Sequence, residues 1–159
     1  MKILKELKGK NVVFKILKIN KKIYDLVEYP SVAVIIPVIE NKILLVKQYR
    51  IPFRRYVWEV PAGKIEKKEK PITAAKRELL EETGYKGKLK FIGKFLVSPG
   101  VSNEIFYFFL ATKLKKIEDF NRKEIKEVKT FEIDKVLEIT NDLKTIFSVY
   151  YLKSLKNFK

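Results

Sequence analysis

Two Val- and Ile-rich segments, Ser31–Ile39 and Ile43–Gln48, are apolar along most of their length and are parted by the polar Glu40-Asn41-Lys42. Continuous apolar runs of this length suit strands buried on both faces, and the asparagine suits the turn between them. Upstream, residues 11–19 and 23–29 alternate or cluster β-branched and aromatic side chains around Asn20-Lys21-Lys22, which predicts a hairpin. Tyr56–Val60 reads as a short aromatic strand bounded by Pro52 and by Pro61-Ala62-Gly63. Further strands are expected at Phe91–Val97 and Ile105–Thr112, around the Ser98–Asn103 loop, and at Val128–Ile133, after a charged loop at Asp119–Glu127.

The period changes at Pro71–Thr83, which predicts a helix. Proline suits the first turn, Ala74 and Ala75 favour helix, and Gly84 stands where a left-handed C-terminal cap is wanted. Ile72, Ala75 and Leu79 share one face, which is expected to pack on the sheet. Asn141 or Asp142 can cap a last helix in which Leu143, Ile146, Phe147, Tyr150 and Leu155 recur at helical spacing. The pattern predicts an α/β (α+β) chain with a mixed sheet, forming one domain over residues 1–159, a length suited to a single core.

Composition narrows the chemistry. Cysteine and histidine are both absent, so disulfides, thiolate metal sites and imidazole bases are excluded. Carboxylates and lysines are left for acid–base work, and any metal must be held by oxygen. The formal net charge of +16 suits a polyanionic ligand. Yet the lysines are interleaved with glutamates along the whole chain, as on a solvated ion-paired surface, so nucleic acid is not the expected main partner. No apolar run approaches the roughly 20 residues that cross a bilayer. Met1–Lys10 carries no signal-peptide core, and a cytoplasmic location is expected.

One constellation stands out. Gly63 is followed after five residues by Glu69, and seven residues later come Arg77-Glu78-Leu79, then Glu81-Glu82, then Gly84. On a helix Glu78 lies one turn before Glu82, so carboxylates gather on one side and repel unless a cation sits among them. Mg²⁺, with Mn²⁺ as a chemical alternative, suits such an oxygen-only site. By helical angle Glu82 and Glu78 lie nearest the apolar stripe, and Glu81 turns further towards solvent. Glu78 and Glu82 are therefore the principal metal ligands expected, against a plain reading in which the glutamates pair with Arg77, Lys76 and other lysines.

These positions resemble the Nudix box at every charged and glycine position, with Tyr85 a mild departure where an aliphatic residue is commoner. The resemblance implies a Nudix fold, an α/β/α sandwich with an N-terminal antiparallel hairpin. It implies that Arg77 orients a box glutamate, that Glu81 joins in catalysis and that the carbonyl of Ala62 enters the metal shell. Lys47-Gln48-Tyr49-Arg50, Trp58-Glu59-Val60-Pro61-Ala62-Gly63 and Ser98-Pro99-Gly100 look like the ADP-ribose pyrophosphatase branch. Pro99 occupies the place that separates this branch from relatives acting on dinucleoside polyphosphates, NADH or coenzyme A.

By that resemblance Arg50, Glu59, Ser98, Pro99, Gly100 and Tyr24 contact substrate, with Tyr24 or Phe14 stacking on adenine across a homodimer built on residues 1–29. A further carboxylate, Glu124 with Glu127 as the fallback, binds metal or activates water. The implied reaction is hydrolysis of ADP-ribose to AMP and ribose 5-phosphate. Another nucleoside diphosphate sugar, a non-catalytic sensor and an RNA-end pyrophosphohydrolase remain the alternatives.

Overall fold

In the computed structural model, which describes residues 1–118, 120 and 125–157, the chain opens with three strands. They are β1 (Lys2–Lys8), β2 (Val13–Ile19) and β3 (Lys22–Glu28), an antiparallel sheet in the order β1-β2-β3. Asn20 turns the β2–β3 hairpin with a φ of 57°, which asparagine tolerates better than most residues. The first strand was not anticipated from the sequence. All seven of its residues are exposed, so no buried stripe marks it.

The main sheet contains β4 (Val32–Ile39), β5 (Lys42–Arg50), β6 (Arg55–Glu59), β7 (Ala62–Lys64), β8 (Tyr85–Leu96), β9 (Ile105–Lys116) and β10 (Glu127–Glu132). Its order is β10-β5-β4-β9-β8, with β6 on β5 and β7 on β4. Glu40 and Asn41 hold φ of 48° and 64°, the mark of a two-residue type I′ turn between β4 and β5. The β4–β9 pair is parallel and the others are antiparallel, so the sheet is mixed as expected.

Strand β4 explains the layers. Val32, Val34 and Ile36 point into a core that holds Leu45, Phe108, Val149 and Leu152. Ala33 and Ile35 point the other way, against Ala74, Ala75, Leu79 and Phe109. One face is therefore covered by the second helix, α2 (Leu143–Asn157), and the other by the first, α1 (Pro71–Thr83). Burial on both faces is why the β4 sequence is apolar at successive positions rather than alternating.

The first helix has the expected bounds. Pro71 stands in the first turn, and Gly84 caps the end with a φ of 76° and its N–H bonded to the Leu80 carbonyl. Its buried face is Ala74, Ala75, Glu78, Leu79, Glu82 and Thr83. Ile72, expected on that face, is 40% exposed, because the sheet covers the helix only from Ala74 onward. Strand β8 starts at Tyr85, directly after the cap, six residues ahead of the expected Phe91. Lys86, Lys88 and Lys90 are exposed there, while Tyr85 and Leu89 pack towards α1.

The placement of β7 creates the site. β4 and β5 pair only near their turn, at Val38–Ile43 and Ile39–Lys42. Further on they part, β5 taking β6 as its partner and β4 taking β7. Val60-Pro61 crosses this fork, pinned where Ile35 N–H donates to the Pro61 carbonyl at 2.9 Å. The fork sets the end of β6, all of β7 and the inner face of α1 around one opening. No helix among the described residues is long and apolar enough to cross a membrane.

Candidate active site

That opening is a cleft of about 860 Å³, a size suited to a small-molecule ligand. Ala62, Gly63, Arg77, Glu78, Glu81 and Glu82 line one wall, and Arg50, Glu104, Phe106 and Lys144 also line it. The box residues thus meet in one place.

Glu78 and Glu82 face inward from successive turns of α1, at 1% and 3% exposure. Glu82 Oε2 accepts from the Ala62 N–H at 3.0 Å. The Glu78 carboxylate lies where a side chain on Gly63 would have to begin, since a Cβ there would come within 2.0 Å of it. The two acids therefore face consecutive residues of β7, and both lie on the buried side of α1, where the helical angle put them.

Arg77 ties the remaining acids together. Its Nε and Nη2 fork onto Glu69 at 3.1 and 2.9 Å, its Nη1 reaches Glu78 at 2.6 Å and Glu81 at 3.3 Å, and Nη2 also donates to the Lys64 carbonyl at 3.0 Å. Each of the five N–H donors of a guanidinium has an acceptor there. The hydrogen bonds that Arg77 donates to Glu69 and then to Glu78 raise its pKa further above its usual range, so it stays charged. Glu81 lies between wall and solvent, with 27% of its side chain exposed.

Among the described residues, no three acidic side chains converge closely enough to hold an ion by themselves. The arrangement fits a cation shared with water and substrate. Two buried carboxylates flank the backbone of Ala62-Gly63, every donor is a hard oxygen, and like charges crowd the wall. Mg²⁺ and Mn²⁺ accept such a shell with several ligands supplied from outside the protein. Glu78 and Glu82 are the side chains that could hold it, beside the Ala62 backbone.

On another side of the cleft, Arg50 forks onto Glu59 through Nε at 2.5 Å and Nη2 at 2.7 Å. Glu59 is itself 2% exposed, so it acts behind the surface while Arg50 lines it. The Glu59 hydrogen bond raises the Arg50 pKa against the opposing effect of burial.

Other expected residues lie elsewhere. Ser98, Pro99 and Gly100 are exposed and do not line the cleft. Their loop folds on itself, Val101 and Ser102 both donating to the Ser98 carbonyl. It then docks on β3, where Val27 N–H donates to Val101 O at 2.7 Å and Tyr29 N–H to Asn103 Oδ1 at 2.9 Å. Tyr24, 45% exposed on β3, is not among the residues lining the cleft, and neither is Phe14 on β2. Asp119 and Glu124 lie outside the described residues. Glu127 begins β10 beside Lys47, at 3.8 Å, and does not line the cleft.

Among the cleft residues missed from the sequence, Glu104 and Lys144 carry charge that bears on the site. Glu104 closes the Ser98–Asn103 loop, and burial pushes its carboxyl up while the charge of Lys144 pulls it down. Its place next to an expected substrate loop was a usable signal. Lys144 carried none, being one lysine among many until α2 brings it to the cleft.

Comparison with known proteins follows the same lines. The family described as NUDIX domain matches residues 29–150. The ADP-ribose pyrophosphatase of Bacillus subtilis (strain 168) is 40% identical over 139 residues, covering 81% of this chain and 75% of that protein. A methanol dehydrogenase activator of Bacillus methanolicus is 37% identical with the same coverage. The crystal structure of an ADP compounds hydrolase superposes with a TM-score of 0.77 over 97% of this chain and 92% of its own, at 18% identity, a likeness of fold.

Proposed function

The chain belongs to the NUDIX family, and on that footing we propose that it hydrolyses the diphosphate bond of ADP-ribose, giving AMP and ribose 5-phosphate, with Mg²⁺ at Glu78, Glu82 and the Ala62 carbonyl. One observation carries the reading. The buried pair Glu78 and Glu82 clasps Ala62-Gly63 at the wall of a cleft large enough for a nucleotide sugar.

When bound, the divalent ion supplies charge neutralisation and polarises a phosphorus towards attack by water. The chain's own residues do the positioning. Arg77 fixes Glu69, Glu78 and Glu81 relative to one another, so the acidic wall is formed before substrate arrives. Arg50 engages Glu59 through Nε and Nη2 and, among the described residues, makes no hydrogen bond through Nη1, which leaves that group for a phosphate oxygen. Glu124, by the family resemblance, supplies the last carboxylate. A homodimer belongs to the same reading, supported by the exposed Ile3, Leu4, Leu7, Ile23 and Tyr24 of the N-terminal sheet.

The relative named for activating methanol dehydrogenase favours a second reading, in which the chain acts on another protein's activity. Turnover by the isolated chain separates the two. ADP-ribose and a panel of other nucleoside diphosphate sugars are incubated with Mg²⁺ or Mn²⁺, and products are identified by chromatography, with Glu82→Gln alongside. We expect AMP and ribose 5-phosphate, with ADP-ribose preferred, and a loss of at least ~10²-fold in the variant, about 3 kcal/mol of barrier. Absence of hydrolysis across the panel with either ion sinks the proposal.

A further inference from the structure

Lys144 stands in the second position of α2, with 13% of its side chain exposed, and lines the cleft. Its Nζ lies 2.7 Å from Asp142 Oδ1 and 3.2 Å from Glu59 Oε2. Asp142 caps the helix, its Oδ2 accepting from Thr145 N–H at 3.0 Å and from the Thr145 hydroxyl at 2.7 Å. The Thr145 oxygen in turn accepts from Val60 N–H at 2.9 Å, and Val60 follows Glu59 in the chain. The contacts close a ring through Glu59, Lys144, Asp142, Thr145 and Val60. Within it sits a carboxylate whose two oxygens set the plane of the Arg50 guanidinium.

We infer that Lys144 is a positioning residue for the anionic part of the substrate: it holds Glu59, and through Glu59 the orientation of Arg50 towards a diphosphate. This rests on the reading of the cleft as a nucleotide-sugar site. The charges support it. Arg50 and Lys144 balance Glu59 and Asp142, so removing the ammonium leaves a net negative cluster beside a cleft that must accept an anion. Glu104, on the same cleft, also feels the Lys144 charge. Glu59 is nearly fully buried, where unbalanced charge is felt most and a lost partner is poorly replaced by water. The Lys144 ammonium also lies 5.9 Å from the Phe106 ring centroid, which confines it further.

The test uses the full chain, with ADP as the binding probe in EDTA so that affinity is read without turnover, beside steady-state kinetics on ADP-ribose with Mg²⁺. Lys144→Met keeps the stem and removes the charge. The expected result is a weakening of ADP binding and a rise in KM of about tenfold each, with kcat altered by less than about threefold. Lys144→Arg recovers most of the affinity. Adding Glu59→Gln to Lys144→Met produces a combined loss smaller than the product of the two separate losses, because the charge left unbalanced is gone.

A Lys144→Met protein that melts like wild type and keeps both ADP affinity and KM within about twofold overturns the inference. So does a variant that loses kcat alone. Should Lys144→Met fail to fold, Lys144→Gln, which removes the charge but keeps a polar end able to donate to Asp142, carries the test. It must weaken ADP binding measurably, and unchanged affinity there overturns the inference equally. A wild type that binds ADP but hydrolyses no nucleotide sugar sinks the reading of the reaction and leaves the ADP titrations to decide on Lys144. A wild type that neither binds ADP nor hydrolyses a nucleotide sugar overturns both.

Discussion

The Glu78 carboxylate occupies the space that any side chain on Gly63 would fill, so the strand and the helix of this site fit because one residue has no Cβ. That Cβ would stand 2.0 Å from Glu78 Cδ and Oε1 and 2.3 Å from Oε2. Every one of these contacts is with the end of a flexible side chain. Relief by moving Glu78 is therefore easier than relief by moving the backbone.

Gly63→Ala should accordingly leave the fold close to intact and the site damaged. We expect a loss of stability within about 1–3 kcal/mol and a fall in kcat of roughly 10–100-fold, with more Mg²⁺ needed for half-maximal rate. Calorimetry beside a metal titration reads both. Wild-type metal dependence in the variant would show that the position of Glu78 does not matter.

Arg77→Lys keeps the charge and loses the fork. One ammonium cannot reproduce five donors directed at Glu69, Glu78, Glu81 and the Lys64 carbonyl. Activity should drop roughly 10–100-fold, with the apparent affinity for Mg²⁺ falling in step. The discriminating measurement is the metal titration, because a lysine that merely balanced charge would leave it where it was.

The parts legible in the sequence were those where a local rule and the tertiary structure agree. Pro71 and Gly84 frame α1, and the spacing of Glu78 and Glu82 puts both on its buried side. The apolar runs of β4 and β5 needed only to be long enough. What escaped was set by partners distant in sequence. The start of β8 looks like a charged loop because Lys86, Lys88 and Lys90 alternate with residues whose burial depends on α1 and on the extension of β9. The exposed β1 shows no periodic burial at all. Lys144 becomes informative only when the cap at Asp142 sets it against Glu59, 85 residues earlier in the chain.

The helix that carries the site is also held at its end. Gly84 takes a φ of 76°, and a Cβ on it would lie 2.7 Å from the Phe120 ring. Gly84→Ala adds left-handed backbone strain to a clash with that ring, and should cost about 2 kcal/mol or more. Urea unfolding measures this, and Phe120→Leu in the same chain should recover part of the loss. A decrease below about 0.5 kcal/mol, within the range of ordinary surface changes, would show that the ring moves aside freely.

Glu104 gives the pH dependence a sign. Burial raises its pKa more than Lys144 lowers it, so between the ordinary glutamate value and the raised one the folded chain holds more proton than the unfolded chain. Through that window this carboxyl makes stability fall as pH rises, with no contribution below it and a constant penalty above. Glu104→Gln removes the effect. Its melting temperature, minus that of wild type, should climb from about pH 4 and then level off. A difference that stays flat or declines with pH rules out burial as the dominant influence.

Thr145 joins the helix cap to the strand that carries Glu59. It is fully buried, its oxygen accepts from Val60 N–H, and its proton goes to Asp142. Thr145→Val preserves shape and leaves a buried N–H without its acceptor, an arrangement costing about 1–3 kcal/mol. Urea unfolding should show that loss with an unchanged denaturant slope, since the surface exposed on unfolding is the same. Thr145→Ser, which keeps the hydroxyl and drops a methyl, separates the two contributions. If it is as unstable as Thr145→Val, packing of the methyl dominates and the hydrogen bonds across Val60 and Asp142 carry little. If it stays nearer wild type, the hydroxyl holds the end of β6 to the start of α2.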